Sequence, residues 1–429
     1  MSKISSRIKE KWAEVGFQKY LQNTGWMFVA RILGMGIAFF VTAIVARYLG
    51  PGNYGTLMYA VSFVSLFSFI ASLGIDQILY REILKSPEKE PELLGTSLLL
   101  RLAGGFVAFI AASLCAFIFL ENPLEQMLIY IISISFVFQA SNVLNYTFLS
   151  RLKNRNLSII MIVITVILSL LKIGIVSSNK GILFLSAVFV IEPILYALFF
   201  IFYYSKFFGK LREWTFSVTT AKTIIKHSLP LMFSSVFALI YSRIDQIMLN
   251  SYIDSTAVGL YSSAVTLSEV WYFIPGIIVA TLFPSIMNAK QTDEHMYSQR
   301  ILKLTAFLVI ISSVIGLVGS VFAKPILNLV FGVNFVAAYQ VLQLYIWAGV
   351  GISVGTVIIQ FLVAEHLSRA VLYISIIGMV INILLNIVLI PTYGIAGAAF
   401  ATLVSYTLGP ISVLCLNEPR RKILRLFRA

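Results

Sequence analysis

Seven ionisable side chains stand where the chain is otherwise apolar: Arg31, Arg101, Lys172, Glu192, Arg243, Asp245 and Glu269. A charge at the centre of a bilayer costs about 2.5–3.5 kcal/mol on insertion scales, so each must meet a partner, a water-filled cavity or a ligand. Cations outnumber anions by one in this set, which favours an anionic ligand. Guanidinium groups match phosphate oxygens in a fork. In "ALIYSRIDQIMLN", residues 238–250, Arg243 and Asp245 are two positions apart, about 200° around a helix, and cannot easily pair with each other. Arg243 shares its side with Gln246 and Asn250, and Asp245 shares the other with Tyr241. One side is expected to meet a cavity and the other a neighbouring helix.

Each charge also has a plainer reading. The long stems of Arg101 and Lys172 allow their heads to reach the lipid headgroups. Arg31 and Arg243 have Glu192 or Glu269 as salt-bridge partners. Glu269 and Glu192, the latter followed by Pro193, pair with these cations or carry protons, and Asp245 reads as a helix-packing anion. Ion coupling, if present, falls to Glu269, Glu192 or Asp245.

The elements that hold these groups follow from composition. The 429 residues are 59% hydrophobic and only 12% charged, against roughly 25% charged in soluble domains. Apolar runs of about 20 residues, broken by short polar loops, predict membrane-spanning helices rather than barrel strands. Twelve spans are expected, beginning near Thr24, Tyr54, Ser97, Gln126, Leu157, Ile182, Ser228, Val258, Leu304, Ala338, Ala370 and Gly394. Cys115 and Cys415 lie in apolar runs and read as buried, inert thiols. His227, His295 and His366 have no metal spacing, so no metal site and no cofactor are expected.

The net charge of +14 invites a nucleic-acid partner, but the distribution of the 32 Lys and Arg excludes it. Counted over alternate segments with the N-terminus inside, 25 of the 32 fall on one side of the membrane and only Arg47, Lys180 and Lys324 on the other. This asymmetry places both termini in the cytoplasm. Residues 1–23 carry Ile4, Ile8, Trp12 and Val15 at helical spacing among Lys3, Arg7, Lys11 and Lys19, which predicts an amphipathic helix on an anionic membrane surface.

The expected organisation is an N-terminal six-helix bundle (24–204), a cytoplasmic linker (205–227), a C-terminal six-helix bundle (228–416) and a basic cytoplasmic tail (417–429). The halves align at an offset of 204 residues: Tyr48 meets Tyr252, Gly55 meets Gly259, Ala60 meets Ala264 and Val61 meets Val265. Six spans per half give parallel repeats. Arg47, Gly50, Pro51 and Gly55 shape an elbow after the first span. Pro230, Pro275 and Pro284 are candidate kinks.

"ARYLGPGNYG" from Ala46, "SLGIDQILYREI" from Ser72, "SRIDQIML" leading to "VGLYSSA" from Val258, and "NIVLIPTYGIAGAAFATLVSY" from Asn386 occur in order along the chain. Together they resemble the polysaccharide transporter family, the O-antigen and lipid-linked oligosaccharide flippases. That family lies within the superfamily of multidrug and toxin extrusion transporters and the lipid II flippase. The resemblance implies an all-α integral membrane protein with 12 transmembrane helices in two six-helix bundles. It implies a V around a cationic cavity lined by the first, second, seventh and eighth helices. It implies movement of an undecaprenyl- or other polyprenyl-pyrophosphate-linked glycan from the cytoplasmic to the outer leaflet of the plasma membrane by alternating access, with a polysaccharide polymerase and chain-length regulator as partners. On that reading Arg31, Arg243, Arg101, Lys172, Gln246 and Asn250 bind substrate. Lipid II flippases carry two further C-terminal helices that this sequence does not match. A multidrug antiporter of the same fold would favour an acidic cavity, against the surplus of embedded Arg and Lys. A membrane enzyme would need catalytic residues in a sizeable outer loop, and the outer loops are short. No G-x-x-x-x-G-K-[ST] nucleotide loop is present.

Overall fold

The structure, a computed structural model, describes residues 15–151, 154–290 and 293–426. Most of the expected N-terminal amphipathic segment, residues 1–14, and the last three residues of the tail lie outside the described residues. With no water in a bilayer core to satisfy the backbone, helix is the economical solution for such a sequence. Among the described residues there is no strand. The helices are α1 (Val15–Ser65), α2 (Ser68–Ser72), α3 (Asp76–Lys85), α4 (Glu90–Phe119), α5 (Pro123–Ser133), α6 (Ser135–Phe138), α7 (Val143–Ser150), α8 (Asn154–Ser177) and α9 (Ile182–Phe207). They continue with α10 (Val218–Tyr252), α11 (Ser255–Glu269), α12 (Phe273–Lys290), α13 (Glu294–Val321), α14 (Ala323–Phe331), α15 (Tyr339–Tyr345), α16 (Ala348–Ala364), α17 (Ser368–Ile411) and α18 (Asn417–Leu426).

Among the described residues eight helices are long and apolar enough to cross a membrane, or nine if the bent pair 333–345 and 348–364 is one span. The chain is a multi-pass membrane protein. The difference from twelve has identifiable sources. α1 runs through a break at Gly50 (φ 70°), and α17 through another at Gly394 (φ 60°), so each long helix contains two of the expected spans. α10, which bears Arg243 and Asp245, is not among the eight.

The chain divides into two compact units, one of residues 1–42 and 67–233, the other of 43–66 and 234–429. The first is built on Ile75, Leu79, Leu94, Phe148, Ile164 and Phe200, all almost fully buried. The second is built on Phe283, Leu304, Leu308, Phe361 and Leu362. This division differs from the expected halves, because residues 43–66 pack with the second unit. Contacts along that segment account for it. Arg47 Nε donates to the Val330 carbonyl at 2.8 Å, and its Nη2 donates to that of Leu329. A cation is thereby set on the C-terminal turn of α14. Tyr54, 1% exposed, meets Phe335 edge to face at 5.9 Å. Ser62 donates to the Gln246 side chain. Gly55 and Gly259 face each other: a Cβ on Gly55 would strike the Ser255 carbonyl, and one on Gly259 would strike that of Pro51. Pro51 and Ser255 are themselves related by the offset of 204 residues, so the two repeats touch through equivalent positions.

The linker is shorter than expected, because α9 continues to Phe207 and α10 begins at Val218. It is fastened to the first unit. The Ser217 amide donates to Thr96 Oγ1 at 3.1 Å, and Trp214 Nε1 to the Tyr204 hydroxyl at 3.1 Å. Cys415 is exposed and Cys115 half-buried, and neither is the fully buried thiol that its apolar surroundings predict.

Candidate functional site

α10 fixes the two charges that open the sequence reading. Asp245 is 4% exposed, and its carboxylate takes three hydrogen bonds from uncharged donors of the second unit. The Tyr261 hydroxyl of α11 donates to Oδ2 at 2.6 Å and Asn386 Nδ2 of α17 to Oδ1 at 2.6 Å, while the Thr402 hydroxyl, also on α17, donates to Oδ2. Asn386 also donates to Asn382 Oδ1 at 3.1 Å, and Asn382 reaches Thr402 Oγ1 at 3.5 Å. Asn382, Asn386, Thr402 and Ser405 are all buried. Asn386 Oδ1 has no hydrogen-bond partner among the described residues. A buried carboxylate ringed by amide and hydroxyl oxygens, one of them unsatisfied, is an environment that could take a proton or a small hard cation.

On the opposite side of α10, Arg243 is half-buried and makes no ion pair within 4 Å among the described residues. It lies within electrostatic reach of Glu269, which ends α11 just before the break at residues 270–272 that leads into α12. Glu269 accepts from the Tyr345 hydroxyl at 3.0 Å, and the Tyr272 hydroxyl donates to the Tyr345 carbonyl at 3.4 Å. Around α10 and α11 the described residues therefore hold a half-buried guanidinium with no ion pair within 4 Å, one carboxylate bound by a tyrosine, and one carboxylate sealed among neutral donors.

Gln246 and Arg101, both expected to meet substrate, have protein partners. Gln246 is 4% exposed and accepts from Ser62. Arg101 on α4 is 4% exposed rather than reaching the headgroups, and its Nη2 donates to Asp76 Oδ1. The left-handed turn at Leu73 and Gly74 starts α3 so that Asp76 stands in its first helical turn. Lys172, half-buried on α8, lies 5.4 Å from the Phe189 ring centre and within electrostatic reach of Glu192 on α9. Arg31 is exposed, and Asn250 is half-buried at the end of α10.

Sequence reasoning missed Asn382, Asn386, Thr402 and Tyr261. A signal existed: "NILLN" puts two amides four apart inside an apolar run, on one helix face, where polar groups need a reason. Asp76 was visible only inside a longer motif. Among the described residues no group of three or more His, Cys, Asp or Glu could hold a metal.

A family model described as polysaccharide biosynthesis protein matches residues 20–290, and the MatE model matches residues 230–388. A probable flippase, AglR of Haloferax volcanii, is 32% identical over 40% of this chain, and the match spans only 37% of that protein's length. The capsular polysaccharide biosynthesis protein CapF of Staphylococcus aureus is 21% identical over 91% of this chain and 98% of its own. Among solved structures, an inward-facing multidrug resistance MATE family transporter superposes with a TM-score of 0.75 at 15% identity, covering 92% of this chain and 96% of that one, which supports a shared fold. The chain is a member of the polysaccharide biosynthesis protein family.

Proposed function

We propose that this protein flips a polyprenyl-pyrophosphate-linked oligosaccharide from the cytoplasmic to the outer leaflet by alternating access, with Arg243 as a guanidinium group that takes the pyrophosphate and Arg31 as a further candidate substrate-binding residue. The observation that carries this reading is Arg243. It is a cation fixed on a membrane helix with no ion pair among the described residues, while the carboxylate two positions away is already satisfied by neutral donors. A half-buried guanidinium whose only carboxylate is at longer range has donors left to meet an anionic ligand. The flippase name of AglR and the polysaccharide name of CapF support the same substrate class. Twelve spans in two bundles of six, an inner-membrane location and cytoplasmic termini complete the proposal. The charge asymmetry of the loops supports that orientation. Asp245, among Asn382, Asn386 and Thr402, is the proposed seat of a coupling ion, sodium or a proton.

The test is flipping of a labelled polyprenyl-pyrophosphate oligosaccharide in vesicles containing the purified protein, with and without a sodium or proton gradient. Arg243→Ala is expected to abolish flipping while the protein remains folded and membrane-inserted. Arg243→Lys keeps the charge without the fork and should restore it in part. Wild-type rates from both Arg243→Ala and Arg31→Ala would sink the assignment. Gradient-driven extrusion of organic cations by the wild type, with no glycan flipping, would favour a multidrug antiporter instead.

A further inference from the structure

α18 has the composition of a helix that lies on a membrane surface, "NEPRRKILRL". One face, Pro419, Ile423 and Leu426, is buried, with Ile423 and Leu426 in the core of the second unit beside Val413, Phe361 and Leu362. A second anchor sits at its centre. Lys422 Nζ lies 3.2 Å from Glu365 Oε2 and donates to the Glu365 carbonyl at 3.3 Å. Glu365 also pairs with Lys290 and accepts from the Tyr297 hydroxyl at 3.3 Å. α18 is thus held in place, and what it presents on its remaining faces is fixed. Arg420, Arg421 and Arg425 are exposed, and none makes an ion pair within 4 Å among the described residues.

Arg420 and Leu424 form one wall of a slot of about 500 Å³ against α17 and the turn that follows it. The opposite wall is Ile381, Leu408, Ile411 and Leu414, and the last three are 36–44% exposed. A slot in the first unit, about 320 Å³ beneath Trp214 and Phe216, is similarly apolar but has no charged side chain in its lining. The distinguishing feature of the α18 slot is the guanidinium at its edge, with two more cations on the same helix.

We propose that this slot is a binding site for an anionic glycerophospholipid, with an acyl chain along Leu408, Ile411 and Leu424 and the phosphate on Arg420. The lipid is a resident of the protein and not its cargo. The apolar lining gains van der Waals contact with a seated acyl chain, and the guanidinium, free of any ion pair within 4 Å among the described residues, gains a charge-assisted bond to the phosphate. Arg421 and Arg425 supply a local positive potential that favours a net negative headgroup over a zwitterionic one.

Native mass spectrometry of the full-length protein, delipidated in detergent and titrated with defined lipids, tests this. Phosphatidylglycerol is expected to form a 1:1 adduct at several-fold lower concentration than phosphatidylcholine. Arg420→Glu should weaken the phosphatidylglycerol adduct by about tenfold or more, and Ile411→Trp, which fills the slot and leaves the arginines in place, should also lose it. Arg212→Glu, an equal charge reversal on the linker, should leave it unchanged. Equal binding of the two lipids, indifference to Arg420→Glu, a protein dimer in place of a lipid adduct, or preference for a polyprenyl phosphate would each overturn the proposal.

Discussion

Each unit carries an embedded arginine, Arg101 in the first and Arg243 in the second, that the surrounding side chains treat in opposite ways. In the first, Arg101 is buried and its guanidinium is met by Asp76; Lys172, like Arg243, has a carboxylate only at longer electrostatic range. In the second, Arg243 and Asp245 sit two residues apart and are kept from each other by the helix itself. Asp245 is satisfied by a tyrosine, an asparagine and a threonine, and Arg243 by no carboxylate within 4 Å among the described residues. A neutralised pair is inert scaffolding, because both charges are already spoken for. Separated charges in the same kind of environment are costly and therefore informative about function. On the proposed function, the chemistry that responds to a ligand or ion belongs to α10, α11 and α17, and α3 and α4 have a structural part.

The largest effect that would break this contrast is on the paired side. Asp76→Ala removes the partner of a guanidinium that is only 5% exposed and leaves it uncompensated. Because Asp76 itself is 41% exposed, the expected loss is about 1–2 kcal/mol, below that for one-sided deletion of a fully buried pair, read as a lower midpoint of unfolding in detergent. Arg101→Leu in the same chain removes the stranded charge and should recover most of that loss. If Asp76→Ala is silent, Arg101 finds its compensation elsewhere and the two units are less different than they look.

A smaller effect sharpens the comparison by showing that the second unit does pair charges where water is near. Glu365, at the end of α16, is drawn upward by burial, but hydrogen bonds and charge from Lys290 and Lys422 outweigh this and hold its carboxyl below the usual carboxylate range. A carboxyl depressed in the folded state contributes stability that is whole above the unfolded value, about 4.3, and is lost as pH falls from there through the folded value. Glu365→Gln should therefore lower thermal stability near neutral pH by the equivalent of about 0.5–1 kcal/mol and flatten the decline below about pH 4.5. Parallel acid profiles for the two proteins would show that the lysines do not act on this carboxyl.

Much of this was legible in the sequence, and the parts that were not share a cause. The helical class, the embedded charges and the opposite facing of Arg243 and Asp245 follow from composition and from 3.6-residue geometry. The equivalence of Gly55 and Gly259 was visible as a repeat. That the two glycines touch was not, because a self-alignment reports likeness and not contact. The same limit explains the move of residues 43–66 to the second unit. Arg47 reads locally as part of an elbow, and only its acceptors, the carbonyls of Leu329 and Val330, tie it to a helix almost three hundred residues away. Asp76 and Arg101 lie on separate helices, so neither announced the other. Asn382 and Asn386 carried a readable spacing, but their acceptor and donor partners on α10 and in the second half of α17 are tertiary facts.

The smallest expected change in stability belongs to Arg243, and it is the sharpest test of the contrast. Its guanidinium makes no ion pair within 4 Å among the described residues and the side chain is only half-buried, so truncation breaks no direct ion pair and removes only a longer-range attraction to Glu269. Arg243→Ala should leave the unfolding midpoint within the equivalent of about 0.5 kcal/mol of wild type, the range of changes that disturb no buried network. The attraction to Glu269 acts without direct contact, and Glu269 keeps its hydrogen bond from the Tyr345 hydroxyl when the guanidinium is removed. Two measurements on one variant then separate the roles: a midpoint that barely moves together with a flipping rate that collapses belongs to a ligand-binding cation. A midpoint that falls as far as that of Asp76→Ala would make Arg243 a structural charge like Arg101, and the asymmetry between the units would disappear.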